Sequence, residues 1–83
     1  MIQEKIEEII TSLSQIEEDK SVPKNIRIKI KNATNALKQS SITIDIRKDQ
    51  ALQELDNLDD DPNIPMHTRT QIWNIVTLLE SIQ

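Results

Sequence analysis

Few side chains in this 83-residue chain are suited to covalent or metal chemistry. His67 is the only histidine and there is no cysteine, so one copy cannot gather the nitrogen and sulfur ligands of a tetrahedral metal site. Asp56, Asp59, Asp60 and Asp61 suggest a hard-cation loop, but a calcium loop of the EF-hand kind needs Gly at its sixth position and a bidentate Glu at its twelfth. The chain has no glycine, and the four aspartates are better read as a solvated helix end. His67-Thr68-Arg69-Thr70 does not supply a nucleophile, a base and a group to orient the base, and Gly-rich phosphate loops are absent. The expectation is a protein that is not an enzyme, with no cofactor and no metal.

The residues suited to binding are more telling. Trp73, the only aromatic residue, follows Arg69 by one turn, which suits a cation–π pair. With Met66 and His67 nearby, Trp73 and Arg69 could mark a partner surface. The competing and favoured reading sets Trp73 beside the core stripe with its N–H satisfied. Ile28 lies between Arg27 and Lys29, roughly 200° round the helix from Ile26, and Ile46 is half a turn from Leu55. Neither belongs to its helix's apolar stripe, and together they could make a patch for a partner protein or a second copy. From Lys20 to Ile44 the chain carries +6 and no acid, leaving −10 for the rest of a molecule of net charge −4. Lys24, Lys29, Lys31 and Lys38 could therefore track a phosphate backbone, as in RNA or a ribonucleoprotein. The alternative, that acidic neighbouring helices neutralise this basic one, makes nucleic acid the less favoured partner.

The elements that must position these residues are helices. Apolar residues recur at three and four positions rather than two, which overrules the β propensity of the abundant isoleucines. The spacing predicts helices over residues 2–17, 23–38, 43–58 and 65–82. Their expected core faces are Ile2, Ile6, Ile9, Ile10, Leu13 and Ile16; Ile26, Ile30, Ala33 and Leu37; Ile44, Ala51, Leu52, Leu55 and Leu58; and Ile72, Ile75, Val76, Leu79 and Ile82. Without glycine, tight β-hairpins are disfavoured and helix ends must use Asn, Asp, Lys or Ser.

Three helix openings are alike: Ser21-Val22-Pro23 with Arg27, Ser41-Ile42-Thr43 with Arg47, and Asn63-Ile64-Pro65 with Arg69. Each reads as a capping side chain followed six residues later by Arg, and Glu18 or Asp19 with Arg27, and Asp60 or Asp61 with Arg69, are expected as loop-closing ion pairs. A shift of 42 residues lays Val22-Pro23 on Ile64-Pro65, Arg27 on Arg69 and Ile2 on Ile44. The chain thus reads as one domain, residues 1–83, made of two similar helical hairpins, about 1–41 and 42–83. The period is like that of HEAT-type hairpins, but two hairpins are too few for a solenoid. The expected fold class is all-α, a four-helix up-and-down bundle. No apolar run reaches the roughly 18 residues of a membrane span, and the acidic start Met1-Ile2-Gln3-Glu4-Lys5 does not resemble a signal peptide. The reading is a soluble cytoplasmic protein with no membrane partner.

Ser21-Val22-Pro23-Lys24-Asn25-Ile26-Arg27 and, more specifically, the run from Asp61-Pro62-Asn63-Ile64-Pro65 to Trp73-Asn74 resemble a short archaeal family known as uncharacterised protein family UPF0147. The resemblance covers nearly the whole chain. It implies a four-helix bundle and an archaeal cytoplasm, and it carries no activity or functional residue with it. Thr43-Ile44 departs from the proline-containing opening of the other two motifs. The function expected is a non-catalytic helical interaction or assembly module, with a protein partner or a homo-oligomer. The alternative is an accessory RNA-binding protein acting through the second helix.

Overall fold

Apolar periodicity, proline-led entries and glycine-free exits together produce four helices. A computed structural model describes residues 2–56 and 58–82, apart from the side chain of Asp59. The helices are α1 (Ile2–Glu17), α2 (Lys24–Leu37), α3 (Ile44–Leu55) and α4 (Met66–Glu80), with one 3₁₀ turn, Leu58–Asp60, before α4. No strand occurs among the described residues.

Each helix packs on its neighbour in sequence, and α1 also packs on α4, so the bundle closes. Two polar contacts fix the up-and-down sense. Lys48 of α3 donates its Nζ–H to the Ile82 carbonyl at 3.1 Å, placing the start of α3 beside the end of α4. His67 Nε2 lies 3.2 Å from Asp19 Oδ2, placing the start of α4 beside the end of α1. One cluster of buried Ile, Leu, Val and Ala fills the centre, from Ile6, Ile9 and Leu13 of α1 to Ile72, Ile75 and Leu79 of α4. The radius of gyration, 11.9 Å, is close to the roughly 12 Å of a compact chain of this length.

The expected core is largely the observed one, with instructive departures. Ile2 is exposed rather than part of the stripe, and Ile10, Ile44, Leu52 and Val76 are only partly buried against the cluster. Thr34 and Ala36 of α2, Thr68 of α4, and the loop residues Val22 and Ile64 are buried beyond the expected set. Helix α3 ends at Leu55, three residues early, because Asp56 is extended (φ −62°, ψ 130°). Leu58 is buried all the same, carried by the 3₁₀ turn.

The helix entries differ from the expected caps. The N-cap residues are Pro23, Thr43 and Pro65, all with φ between −55° and −61°, and none makes a side-chain cap bond. Proline presets that φ. Ser21 and Asn63 instead donate their backbone N–H to Asp19 Oδ1 (2.9 Å) and Asp61 Oδ1 (2.8 Å), so the aspartates organise the turns. The middle turn has Gln39 where the others have aspartate, and it keeps the backbone bond common to all three turns, Val22 N–H to the Asp19 carbonyl (3.1 Å), Ile42 N–H to the Gln39 carbonyl (3.1 Å) and Ile64 N–H to the Asp61 carbonyl (3.2 Å).

The arginines also differ from expectation. Arg27 Nε donates to the Val22 carbonyl (3.1 Å), Arg47 Nη1 to the Leu37 carbonyl (3.1 Å) and Arg69 Nη2 to the Asp61 carbonyl (2.9 Å). The expected pairs with Glu18 or Asp19 and with Asp60 or Asp61 do not form among the described residues. A guanidinium on a loop carbonyl closes the turn as a carboxylate pair would, and Arg47 also serves an orphan carbonyl at the end of α2. Helices α2 and α4 end on Lys38 and Ser81 in right-handed geometry, each donating its backbone N–H to carbonyls of the last turn, so these exits form without the left-handed residue that glycine usually supplies.

Candidate functional site

Between α3 and α4 the surface opens into a groove of about 490 Å³. Its floor is Leu52 and Val76, both half-buried, over the buried Leu55 and Ile72. Its rim carries Trp73, Gln53 and three carboxylates, Asp49, Asp56 and Glu80. None of the three is in an ion pair among the described residues. Trp73 stands at the edge of the core stripe and is 70% exposed there.

Trp73 also borders a second, smaller cavity of about 240 Å³ with Met66, Arg69 and Thr70, one turn further toward the start of α4. Met66 is 77% exposed. These residues recur at three and four positions along α4, so they share one face. The structure thus brings Trp73 and Arg69 together. The Arg69 guanidinium is engaged on the Asp61 carbonyl while the residue lines the cavity.

Ile28 and Ile46 project as the helical angles require, at 51% and 50% exposure, but neither lines the groove of Trp73. They stand on α2 and α3, and the α2–α3 cleft is lined mainly by amides: Asn32, Asn35, Gln39, Gln50 and Gln53. Lys24, Lys29, Lys31 and Lys38 are all exposed and have no carboxylate within 4 Å among the described residues. Among the described residues no direct ion pair neutralises these lysines.

His67, in the first turn of α4, reaches the turn between α1 and α2. Asp19 accepts hydrogen bonds from the Ser21 hydroxyl (2.6 Å), the Ser21 N–H (2.9 Å) and His67 Nε2 (3.2 Å). These donors, Ser21 above all, lower the Asp19 carboxyl to a pKa of about 2. No group of three or more candidate ligands is assembled for a metal ion among the described residues. None of their helices is long and apolar enough to cross a membrane.

Sequence reasoning missed the groove's acidic rim. Asp49 and Glu80 lie on different helices, far apart in sequence, and only the packing of α3 on α4 brings them to one opening. Met66 and Trp73 were visible as neighbours on one face, but their exposure was not.

Comparison with known proteins gives a consistent result. The family model "Uncharacterised protein family (UPF0147)" matches residues 1–82. A UPF0147 protein of Sulfurisphaera tokodaii is 40% identical, over 95% of this chain and 89% of its own length. Another, from Pyrococcus horikoshii, is 39% identical over 99% of this chain and 89% of its own. The crystal structure of the unknown-function protein MMP1188 is 47% identical, with a TM-score of 0.89, over 95% of this chain and 90% of that one.

Proposed function

The chain belongs to the uncharacterised protein family UPF0147, and we propose that it is a non-catalytic helical interaction module that binds a protein partner in the archaeal cytoplasm. One observation carries this reading: the two most exposed large apolar side chains among the described residues, Met66 and Trp73, share a face of α4 beside an open groove. Exposed large apolar groups at the edge of a depression lose hydration when covered, and Trp is a frequent anchor of such contacts. Arg69 extends the surface, and Ile28 and Ile46 offer separate apolar contacts on α2 and α3.

Quantitative capture of the tagged protein from native host cells tests the reading. A partner protein retained at constant ratio after ribonuclease treatment, and lost on Trp73→Ser, is the expected result. Capture that is indifferent to Trp73→Ser would count against it.

A second reading has an observation of its own, the exposed and carboxylate-free lysines of α2. On that reading Lys24, Lys29, Lys31 and Lys38 contact RNA phosphates. Binding would then fall steeply with salt and be abolished by Lys29→Glu with Lys31→Glu, while Trp73→Ser left it unchanged.

A further inference from the structure

The groove between α3 and α4 joins an apolar floor to an acidic rim, and the chain supplies its own comparison. Lys24 and Lys31 of α2 and Lys38 at its C-terminal cap lie seven residues apart, on one stripe. A shift of 42 residues places Met66, Trp73 and Glu80 of α4 on those same three positions. The same shift replaces Ser14 with Asp56 and Thr34 with Val76. Where the first hairpin presents bases, the second presents an apolar and acidic face.

We propose that this groove seats a basic amphipathic helix of a partner protein. The inference rests on the interaction-module reading and names the chemistry of the partner. The helix lays its apolar face on Leu52, Val76 and Trp73, and its Lys or Arg side chains meet Asp49, Asp56 and Glu80. Charge complementarity selects this occupant: the three rim carboxylates have no ion-pair partner among the described residues. An acidic helix would bring like charges together at the rim, which disfavours wrong partners strongly. The apolar floor between two helices is the kind of surface on which an amphipathic helix docks through residues at i, i+3, i+4 and i+7.

The molecule carries its own reporter, since Trp73 is its only tryptophan and stands on the groove rim. The probe is an 18-residue synthetic helix of Leu and Lys without Trp, with Leu at the spacing given above; the same design with Glu replacing Lys is the control. The expected result is a saturable, one-to-one blue shift of Trp73 emission with the Leu/Lys peptide and none with the Leu/Glu peptide. Asp49→Lys with Glu80→Lys, both at exposed positions, should weaken binding by about tenfold. Glu7→Lys with Glu8→Lys, an equal charge change on exposed positions of α1, should alter it by less than about twofold. Equal weakening by the two charge variants would reduce the effect to general attraction and overturn the proposal. So would a blue shift with the Leu/Glu peptide, no shift at all, or a concentration-dependent shift of the protein alone, which would assign the groove to a second copy. Trp73-dependent capture that survives while the Leu/Lys peptide fails removes this occupant and leaves the module reading standing. Failure of that capture removes the module itself.

Discussion

Thr68 sits in the first turn of α4, completely buried, with no hydrogen-bond partner for its hydroxyl. A buried hydroxyl without a partner keeps its desolvation cost, of order 1–3 kcal/mol. Thr34, equally enclosed in α2, donates its hydroxyl to the Ile30 carbonyl at 3.1 Å and bears no such cost. Thr68→Val should therefore raise stability by about 1 kcal/mol, whereas Thr34→Val should leave it unchanged or lower it slightly. Urea unfolding of both variants checks this, and a loss of stability in Thr68→Val would show that the hydroxyl has a partner. At this scale the sequence was legible in part. The exposure of Ile28 and Ile46 follows from helical angle alone. That of Trp73 does not, because Trp73 stands about 100° from Ile72 at the edge of the stripe, where cover depends on the neighbouring helix. Helix α3 stops at Leu55, and Asp56 borders the same groove as Trp73.

Among the elements, the connections carry the sharper lesson. The three like openings are visible as Ser-Val-Pro, Ser-Ile-Thr and Asn-Ile-Pro with Arg six residues on, but the bonding runs differently. In the first and last openings Ser21 and Asn63 donate to the preceding aspartate, and in all three the arginine reaches a carbonyl. Sequence spacing fixes that these groups meet; which atom accepts depends on the path of the loop. Asp19 is the strongest case, because two Ser21 donors and His67 converge on it. Its folded pKa of about 2 lies below the roughly 3.9 of an unfolded aspartate. The stability it contributes is thus complete above the unfolded value and is lost as pH falls from about 4 to about 2. Thermal melts across that window should show wild type losing stability more steeply than Asp19→Asn. Parallel profiles would mean that the Ser21 and His67 contacts do not favour the carboxylate in solution.

For the whole molecule, four amphipathic segments, short connections and a shared core were enough to indicate a closed bundle, and the structure has one. The groove was beyond reach of periodicity, because it is set by how α3 and α4 lie against each other rather than by either sequence alone. Its chemistry became visible only once Asp49 of α3 and Asp56, just past the end of α3, bordered one opening with Trp73 and Glu80 of α4. On the proposed reading, a protein partner binds at this opening. Site-specific photo-crosslinking in native host cells tests it most directly, with the photoreactive residue placed at Gln53 on the groove rim and, in a parallel strain, at Lys31 on exposed α2. The expected result is one discrete protein adduct from position 53, insensitive to ribonuclease and absent from position 31. Adducts confined to position 31 and removed by ribonuclease would contradict the claim and assign the molecule to RNA.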